Sequence, residues 1–312
     1  YDFDQTSTLF LLDDVTSELD PARNKQLMEL VGDLEAQVFV TTTQRDHIGL
    51  HRDRYSSWEI DLGKVCIVPC GAVEQHGPHL PLDVDLVCPN GVAHGAGKLA
   101  PDKMLVLPIV AYGYTGHVMD FPGTINTNYE TFIRGVTDVT RSLAYHGFKK
   151  IVIVNGNAQA NLPPMHIAAN KLANETNAAA VVVDPWDIGD AVSRELMAGA
   201  PGSMGHASQH ECSQMLHLHP HLCDMSKAQA RVWEQREFHF SDHYVVGNRV
   251  HFAKTPESFR EATLPTGTFG DPGHCTAEKG KVFHKTIVAN IVKVIQELRE
   301  TKVETRRRRF VF

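Results

Sequence analysis

From about Tyr55 onward, apolar runs of five or six residues alternate with longer segments of helical periodicity, and this alternation constrains the fold more than any other feature of the chain. The runs fall at 65–69, 104–109, 151–155 and 179–184, and each ends in a turn or loop. Helical spacing is present over 129–144 and 165–173. A long helix is predicted over 276–299, with Val282, Ile287, Ile291, Val294 and Ile295 at helical intervals. Strands that alternate with helices imply a mostly parallel sheet covered on both faces. The expected fold class is α/β, a three-layer αβα arrangement. With 312 residues, 42% hydrophobic and 21% charged, the chain can bury a full-sized core, and no repeat or low-complexity linker interrupts it.

A formal charge of −7 argues against a general nucleic-acid binder, which needs a basic surface to neutralise phosphates. The one basic run, 306–309, reads as a solvated tail. Six cysteines, Cys66, Cys70, Cys88, Cys212, Cys223 and Cys275, contain no CxxC pair, and a chain of this size needs no disulfide staples. A reducing cytoplasm is the expected location. No stretch approaches the roughly 18 apolar residues of a membrane span, and the first residues lack a basic-then-apolar signal pattern. Neither nucleic acid nor membrane is an expected partner.

The first fifty residues read as a strand at 9–12, a helix at about 24–34 and a strand at 37–42. Here LFLLDDVTSELDPARNKQLMELVGDLEAQVFVTTTQ resembles the C-terminal part of the nucleotide-binding domain of RecF-type ABC ATPases. By that resemblance Asp13 and Asp14 close a Walker B strand, and SELD (17–20) is the D-loop. No GxxxxGK[ST] loop exists in the chain to cradle phosphates, so ATP hydrolysis is not expected. Residues 1–50 are expected to be a fused remnant, followed by a separate domain over 51–312.

The stretch VPCGAVEQHGPHLPLDVD (68–85) sets a glutamate, two histidines and two aspartates just behind a predicted buried strand. Strand ends of α/β sheets are where catalytic groups gather. Glu74 and His76 are two apart, so in an extended segment their side chains point the same way. Asp85 follows GPHLPLDV, a Gly- and Pro-bearing loop expected to fold it back beside them. Carboxylate oxygen and imidazole nitrogen together suit zinc or manganese better than calcium. A second strand and turn, VIVNGNAQAN (152–161), has the same shape without a histidine.

Five ordered stretches across 55–300 resemble the creatininase family of metal-dependent amidohydrolases. GAVEQHGPHLPLDVD is similar to its first metal motif, FPGT (121–124) to its active-site loop, and PWD (185–187) to a strand-end tryptophan motif. GHASQHECS (205–213) is similar to its GH-x(4)-E segment, and GTFGDPGHCTAEKG (267–280) to a late turn-and-helix signature. The resemblance implies two ions, Zn2+ or Mn2+, with Glu74 and His76 each holding one and Asp85 bridging them. A water activated between the ions attacks a polarised carbonyl. His206 is then the proton shuttle to the leaving nitrogen, and Glu211 ligates a metal or orients the water. Trp186 forms an apolar wall for a flat substrate, while His117 and Tyr114 reach the substrate from their loop. A homo-oligomer, a hexamer, also follows from the resemblance.

Plainer readings stand beside these. His79, His94 and His166 read as surface or packing histidines, Asp83 as solvated, and Trp186 alternatively as core. His210, four residues after His206, offers an alternative ligand pair on one helix face. The departure from the family falls at NGNAQAN, where N-G-H-G-G-N is typical: Asn157 replaces the metal histidine and one residue is inserted before Asn161. A neutral amide oxygen is a weaker ligand than imidazole, so one of the two sites is expected to be weakened. A second departure is ASQHECS (207–213), where the family tends to carry a small or acidic residue before the second acid, though Glu211 itself is kept. The leading expectation is a hydrolase that opens a small cyclic amide or related polar ring. The alternatives are a non-catalytic binding or assembly subunit, and a hydrolase of formamides or cyclic sugar ketones. An ATPase fragment acting in DNA repair is disfavoured by the missing phosphate loop.

Overall fold

The computed structural model describes residues 9–12, 19–33, 37–42, 48, 50, 61–157, 160–196, 198–200, 202–232 and 253–303. The chain divides into two compact units, Tyr1–Ile60 and Asp61–Phe312. In the first, β1 (Leu9–Leu12) pairs in parallel with β2 (Gln37–Val40), and α1 (Pro21–Gly32) lies between them in sequence. The helix begins at Pro21 rather than at 24 because its cap, not its apolar stripe, sets the start. Asp20 accepts hydrogen bonds from the Ala22 and Arg23 N–H groups at 3.0 Å, and proline suits the first helical position. Asp20, the last residue of the D-loop-like SELD, is therefore a helix cap. Asp13, Asp14 and the basic run at 306–309 lie outside the described residues.

In the second unit, β3 (Val65–Cys70), β4 (Met104–Val106), β5 (Lys150–Asn155) and β6 (Ala179–Val183) form a parallel sheet in the order β4-β3-β5-β6. Its helices are α2 (Val84–Leu99), α3 (Tyr129–Tyr145), α4 (Leu162–Glu175), α5 (Pro185–Ile188), α6 (Asp190–Leu196), α7 (Gln209–Leu218), α8 (Pro256–Thr263) and α9 (Ala277–Glu300). Every residue of β3 is buried, because the pleat sends alternate side chains into one of two helical layers. Val65, Ile67, Val152 and Val154 pack with Val92 and Ala96 of α2 and with Ile287, Ile291 and Ile295 of α9. Cys66, Val68, Ile151 and Ile153 pack on the other face with Phe132 and Val136 of α3 and with Met165 and Leu172 of α4. This is the three-layer αβα arrangement that the alternation predicts. Full burial of each such aliphatic side chain contributes about 1.5–3 kcal/mol.

The predicted strand ends shift for local reasons. β4 stops at Val106 because Pro108 has no N–H for the ladder; the pairing resumes only as an isolated bridge between Cys70 and Val110. β6 stops at Val183 because Asp184 turns outward to cap α5, accepting from the Trp186 N–H at 2.9 Å. Sequence periodicity misses the short helices α5, α6 and α8 and also the long α2, whose interior holds Pro89, Gly91, Gly95 and Gly97. Packing overrides the poor propensity: a Cβ on Gly95 would lie 2.7 Å from Cγ2 of Val288 on α9, so glycine lets the two helices close. The first turn of α2 is seated with the same tightness. A Cβ on Gly71, just past β3, would lie 2.1 Å from the Asp85 carbonyl oxygen, and one on Gly156, just past β5, 2.2 Å from it. Two strand ends thus clasp the backbone of Asp85. No helix among the described residues is long and apolar enough to cross a membrane.

Candidate metal centre

Beyond the end of β3, Glu74, Gln75 and His76 lie in an extended segment anchored by the Val73–Ile125 bridge and by the Glu74 N–H bond to the Leu82 carbonyl at 3.0 Å. Asp85 arrives from the first turn of α2 and Glu211 from the first turn of α7. His206 comes from the loop before α7, where Ala207 holds a left-handed φ of 56° that costs a non-glycine residue strain. That turn aims the Ala207 N–H at Glu211 Oε2, 2.5 Å away.

The imidazole of His76 is oriented by its own backbone: Nδ1–H donates to the Glu74 carbonyl at 3.1 Å, which leaves Nε2 directed into the site. Nε2 lies 3.2 Å from Asp85 Oδ1 and 3.9 Å from Glu211 Oε2. It is buried without a hydrogen-bond partner, as is Asp85 Oδ2. His206 Nδ1 lies 3.4 Å from Glu74 Oε1, while its Nε2–H donates to the Gln75 carbonyl at 2.6 Å. Thr115 Oγ1–H and Asn157 Nδ2–H both donate to Glu74 Oε2, the latter at 2.6 Å.

These atoms make two ligand groups, Glu74–His76–His206 and His76–Asp85–Glu211, each with one donor atom per residue within 4.8 Å of the others. His76 stands in both groups and Asp85 in only the second, so the spacing does not by itself give Asp85 the bridging place. The electrostatics fit a divalent cation. Burial, then repulsion from Asp85, pushes Glu74 up to about 8. Burial, against the opposing pull of His76, pushes Glu211 up to about 7. Burial raises Asp85 well above the carboxylate range and, with His76 adding to it, holds His206 well below the usual histidine value. Three acids in one dry site resist ionisation until a cation arrives, and an N,O,O donor set with an orphaned imidazole nitrogen suits zinc or manganese.

Of the sequence-derived residues, Glu74, His76, Asp85, Asn157, His206 and Glu211 are brought together. Asn157 enters as a hydrogen-bond donor to Glu74, not with its oxygen turned to the ligand atoms. His210 does not join His206: its ring packs on Trp186 at 4.2 Å and Phe283 at 4.4 Å between centroids, because its position on α7 faces the core. Trp186 itself is 6% exposed and belongs to a buried cluster with Leu80, Met204 and Met215, a packing position. His117 stacks edge-on against Phe259 at 5.1 Å, and Phe259 in turn meets His206 at 5.7 Å. Tyr114 lies edge-on to Tyr129 and is tied through its N–H to Asn161 Oδ1 at 2.8 Å. His79 is a packing histidine, bonded to the Ala207 carbonyl at 3.0 Å, whereas His94 and His166 are exposed. Asp83 is half-buried at the start of α2 rather than fully solvated. Sequence reasoning missed Thr115, which carries no motif, and Phe259 on α8.

A parallel α/β sheet whose strand ends gather buried carboxylates and imidazoles makes this an αβα protein with a candidate metal site. The profile of one such family, the creatininases, described as creatinine amidohydrolase, matches residues 58–295, and the chain belongs to that family. It is 30% identical over 251 residues to the creatinine amidohydrolase of Pseudomonas putida, covering 75% of this chain and 89% of that protein. It is 29% identical over 239 residues to a mycofactocin precursor peptide peptidase of Mycobacterium tuberculosis, covering 73% and 82%. Among solved structures, a mutant creatininase of the Zn-Zn type superposes with a TM-score of 0.62 at 26% identity, over 75% of this chain and 90% of that one. A manganese creatininase superposes with a TM-score of 0.60 at 26% identity, over 75% and 91%. The likeness to RecF is short: 45% identity over 58 residues to the DNA replication and repair protein RecF of Geotalea daltonii, 18% of this chain and 16% of that protein.

Proposed function

We propose that this chain is a metal-dependent amidohydrolase that opens a small cyclic amide or related polar ring. The observation that carries the reading is the convergence of the partnerless His76 Nε2 with Asp85 and Glu211 on one buried point. These three residues would hold the firm ion, and Glu74 with His206 would hold either a proton or a second, weaker ion. A divalent ion held there supplies Lewis acidity and a water acidified toward neutral pH. Everything else is done by the chain. Burial keeps His206 neutral, so its Nδ1 is available to take up a proton. Glu74 Oε1, 3.4 Å away, shares that proton, and the Nε2–H bond to the Gln75 carbonyl keeps the ring from turning while the proton moves to the leaving nitrogen. Thr115 and Asn157 fix the other Glu74 oxygen.

The experiment is reconstitution of the chelator-stripped protein with Zn2+ or Mn2+, followed by assay of ring opening on creatinine and simple lactams. Metal-dependent turnover that disappears in His76→Ala supports the reading. Tight metal binding without turnover of any cyclic amide would favour the second reading, a family member retained for binding. The feature that speaks for that alternative is Asn157, whose N–H occupies Glu74 where the family resemblance expects a ligand.

A further inference from the structure

Gln75 lies between the ligand residues Glu74 and His76, is 6% exposed, and uses both ends of its side-chain amide. Oε1 accepts from the Gly77 N–H at 2.8 Å and Nε2–H donates to the Gly267 carbonyl at 3.0 Å, so these partners fix which end of the amide is which. The Gly267 turn is shaped for this contact: its φ of 79° suits glycine, and a Cβ there would lie 2.3 Å from Gln75 Oε1. From that turn the chain passes to Phe269, whose N–H donates to the His206 carbonyl at 2.8 Å. A Cβ on Gly205, just before His206, would lie 2.5 Å from the Phe269 carbonyl oxygen, so the two loops are in close contact. The His206 ring then returns to Gln75: its Nε2–H donates to the Gln75 carbonyl at 2.6 Å, and Nε2 stands 3.1 Å from the Gln75 amide nitrogen. The circuit is closed, running from the Gln75 side chain through the Gly267 turn and the backbone and ring of His206 to the Gln75 carbonyl.

We propose that Gln75 is a positioning residue for the proton shuttle: its amide ties down the turn that holds the His206 backbone, while its carbonyl holds the His206 ring, so that Nδ1 stays aimed at Glu74. The inference rests on the hydrolase reading for the shuttle role of His206. An imidazole held only through its Cα can turn about two side-chain bonds, and a flip about Cβ–Cγ would put a ring carbon where Nδ1 now stands 3.4 Å from Glu74 Oε1. The ring contacts with His76 at 4.3 Å and Phe259 at 5.7 Å bound the space without distinguishing a ring nitrogen from a ring carbon. The bond from Nε2 to the Gln75 carbonyl makes that distinction, and it holds only while the two loops keep their spacing. A buried glutamine needs partners in any core. What sets Gln75 apart is that its partners are the loop that carries the shuttle and the turn that anchors that loop.

The test reads the ring directly, by proton–nitrogen NMR of the metal-free protein with isotope-labelled histidine, the signal of His206 being the one lost in His206→Gln. The parent is expected to show a single tautomer, protonated at Nε2, with a slowly exchanging ring N–H. Gln75→Met keeps the length of the side chain without the amide, and is expected to speed exchange of that N–H at least about tenfold and to admit the second tautomer. Gln75→Asn, whose amide falls one methylene short of the Gly267 carbonyl, is expected to do the same and carries the test should Gln75→Met not fold. An unchanged ring signal in the variant, or a parent that already samples both tautomers, overturns the proposal. Calorimetry with Zn2+ alone separates positioning from general support. The firm ion should bind the variant within about threefold of the parent, and its loss together with the ring signal would show a merely structural glutamine and overturn the proposal. With creatinine as substrate, the variant should lower kcat at least about tenfold and leave KM within about threefold; a kcat equal to the parent's overturns the positioning role. A parent that turns over no cyclic amide counts against the hydrolase reading, while the ring signal still decides the role of Gln75.

Discussion

Replacing Glu74 by glutamine is expected to stabilise the metal-free protein and to weaken its hold on metal. The side chain is 2% exposed, and its pKa rises from an ordinary 4.5 to about 8. An acid raised in the folded state binds its proton more tightly there than in the unfolded chain. Its contribution to stability is intact below 4.5, falls as pH rises through the interval and is fully lost above about 8. At pH 7.5 the accumulated loss is about three pH units at about 1.36 kcal/mol each, or about 4 kcal/mol as a ceiling. Glutamine has nothing to ionise and fits the same hydrogen bonds. Its carbonyl oxygen in place of Oε2 accepts from Thr115 and Asn157, and its amide N–H faces the Nδ1 lone pair of His206, 3.4 Å from Oε1 in the parent.

The assay is urea denaturation of parent and Glu74→Gln in excess chelator from pH 5 to 8.5. The advantage of the variant should be small at pH 5 and grow to about 2–4 kcal/mol by pH 7.5. With saturating Zn2+ the order should reverse, because binding to the native state stabilises only a chain that still offers the ligand. A variant less stable than the parent at pH 7.5 without metal, or an advantage that does not change with pH, would refute the burial argument.

Asn157→His, with Ala158 also deleted if the loop is out of register, should raise the zinc stoichiometry from one tightly held ion toward two in calorimetric titration; two equally tight ions already in the parent would remove the case for a weakened site. Gly280→Ala should lower stability by about 2 kcal/mol or more, since its Cβ would lie 1.8 Å from the Ser213 carbonyl oxygen where α9 crosses α7; an unchanged melting temperature would contradict that packing. Residues 61–312 alone should fold and bind zinc as the full chain does, since every ligand atom lies in that unit; aggregation or loss of metal on truncation would show that the first unit is required.

The sheet and the cluster of candidate ligand residues were legible because each is written locally. Four apolar runs of strand length announce four strands, and Glu74, His76 and Asp85 sit within a dozen residues of one another. What was not legible depends on groups far apart in sequence. The helix that carries Asp85 looks like a loop on propensity alone, and its place is set by Gly71 and Gly156 closing on one carbonyl oxygen from two different strand ends. Thr115 reaches Glu74 across 41 positions, and the contacts of Phe259 with His117 and His206 exist only once α8 has packed against their loops.

Asn157 shows the difference most plainly. As a letter in a motif it is a missing ligand, but in the folded site it donates to the same Glu74 oxygen that Thr115 holds. An acceptor oxygen engaged by two donors is less available to a cation. His76 cannot serve both ligand groups at once, since Nδ1 is tied to the Glu74 carbonyl and only Nε2 is open. Nε2 with Asp85 and Glu211 would be the group to hold a first divalent ion, whose charge would offset the repulsion between those two acids. Glu74 and His206 are left as a pair that can hold a proton or a second, weaker ion. The choice between a one-ion and a two-ion enzyme thus turns on how firmly two hydrogen bonds hold a single carboxylate oxygen.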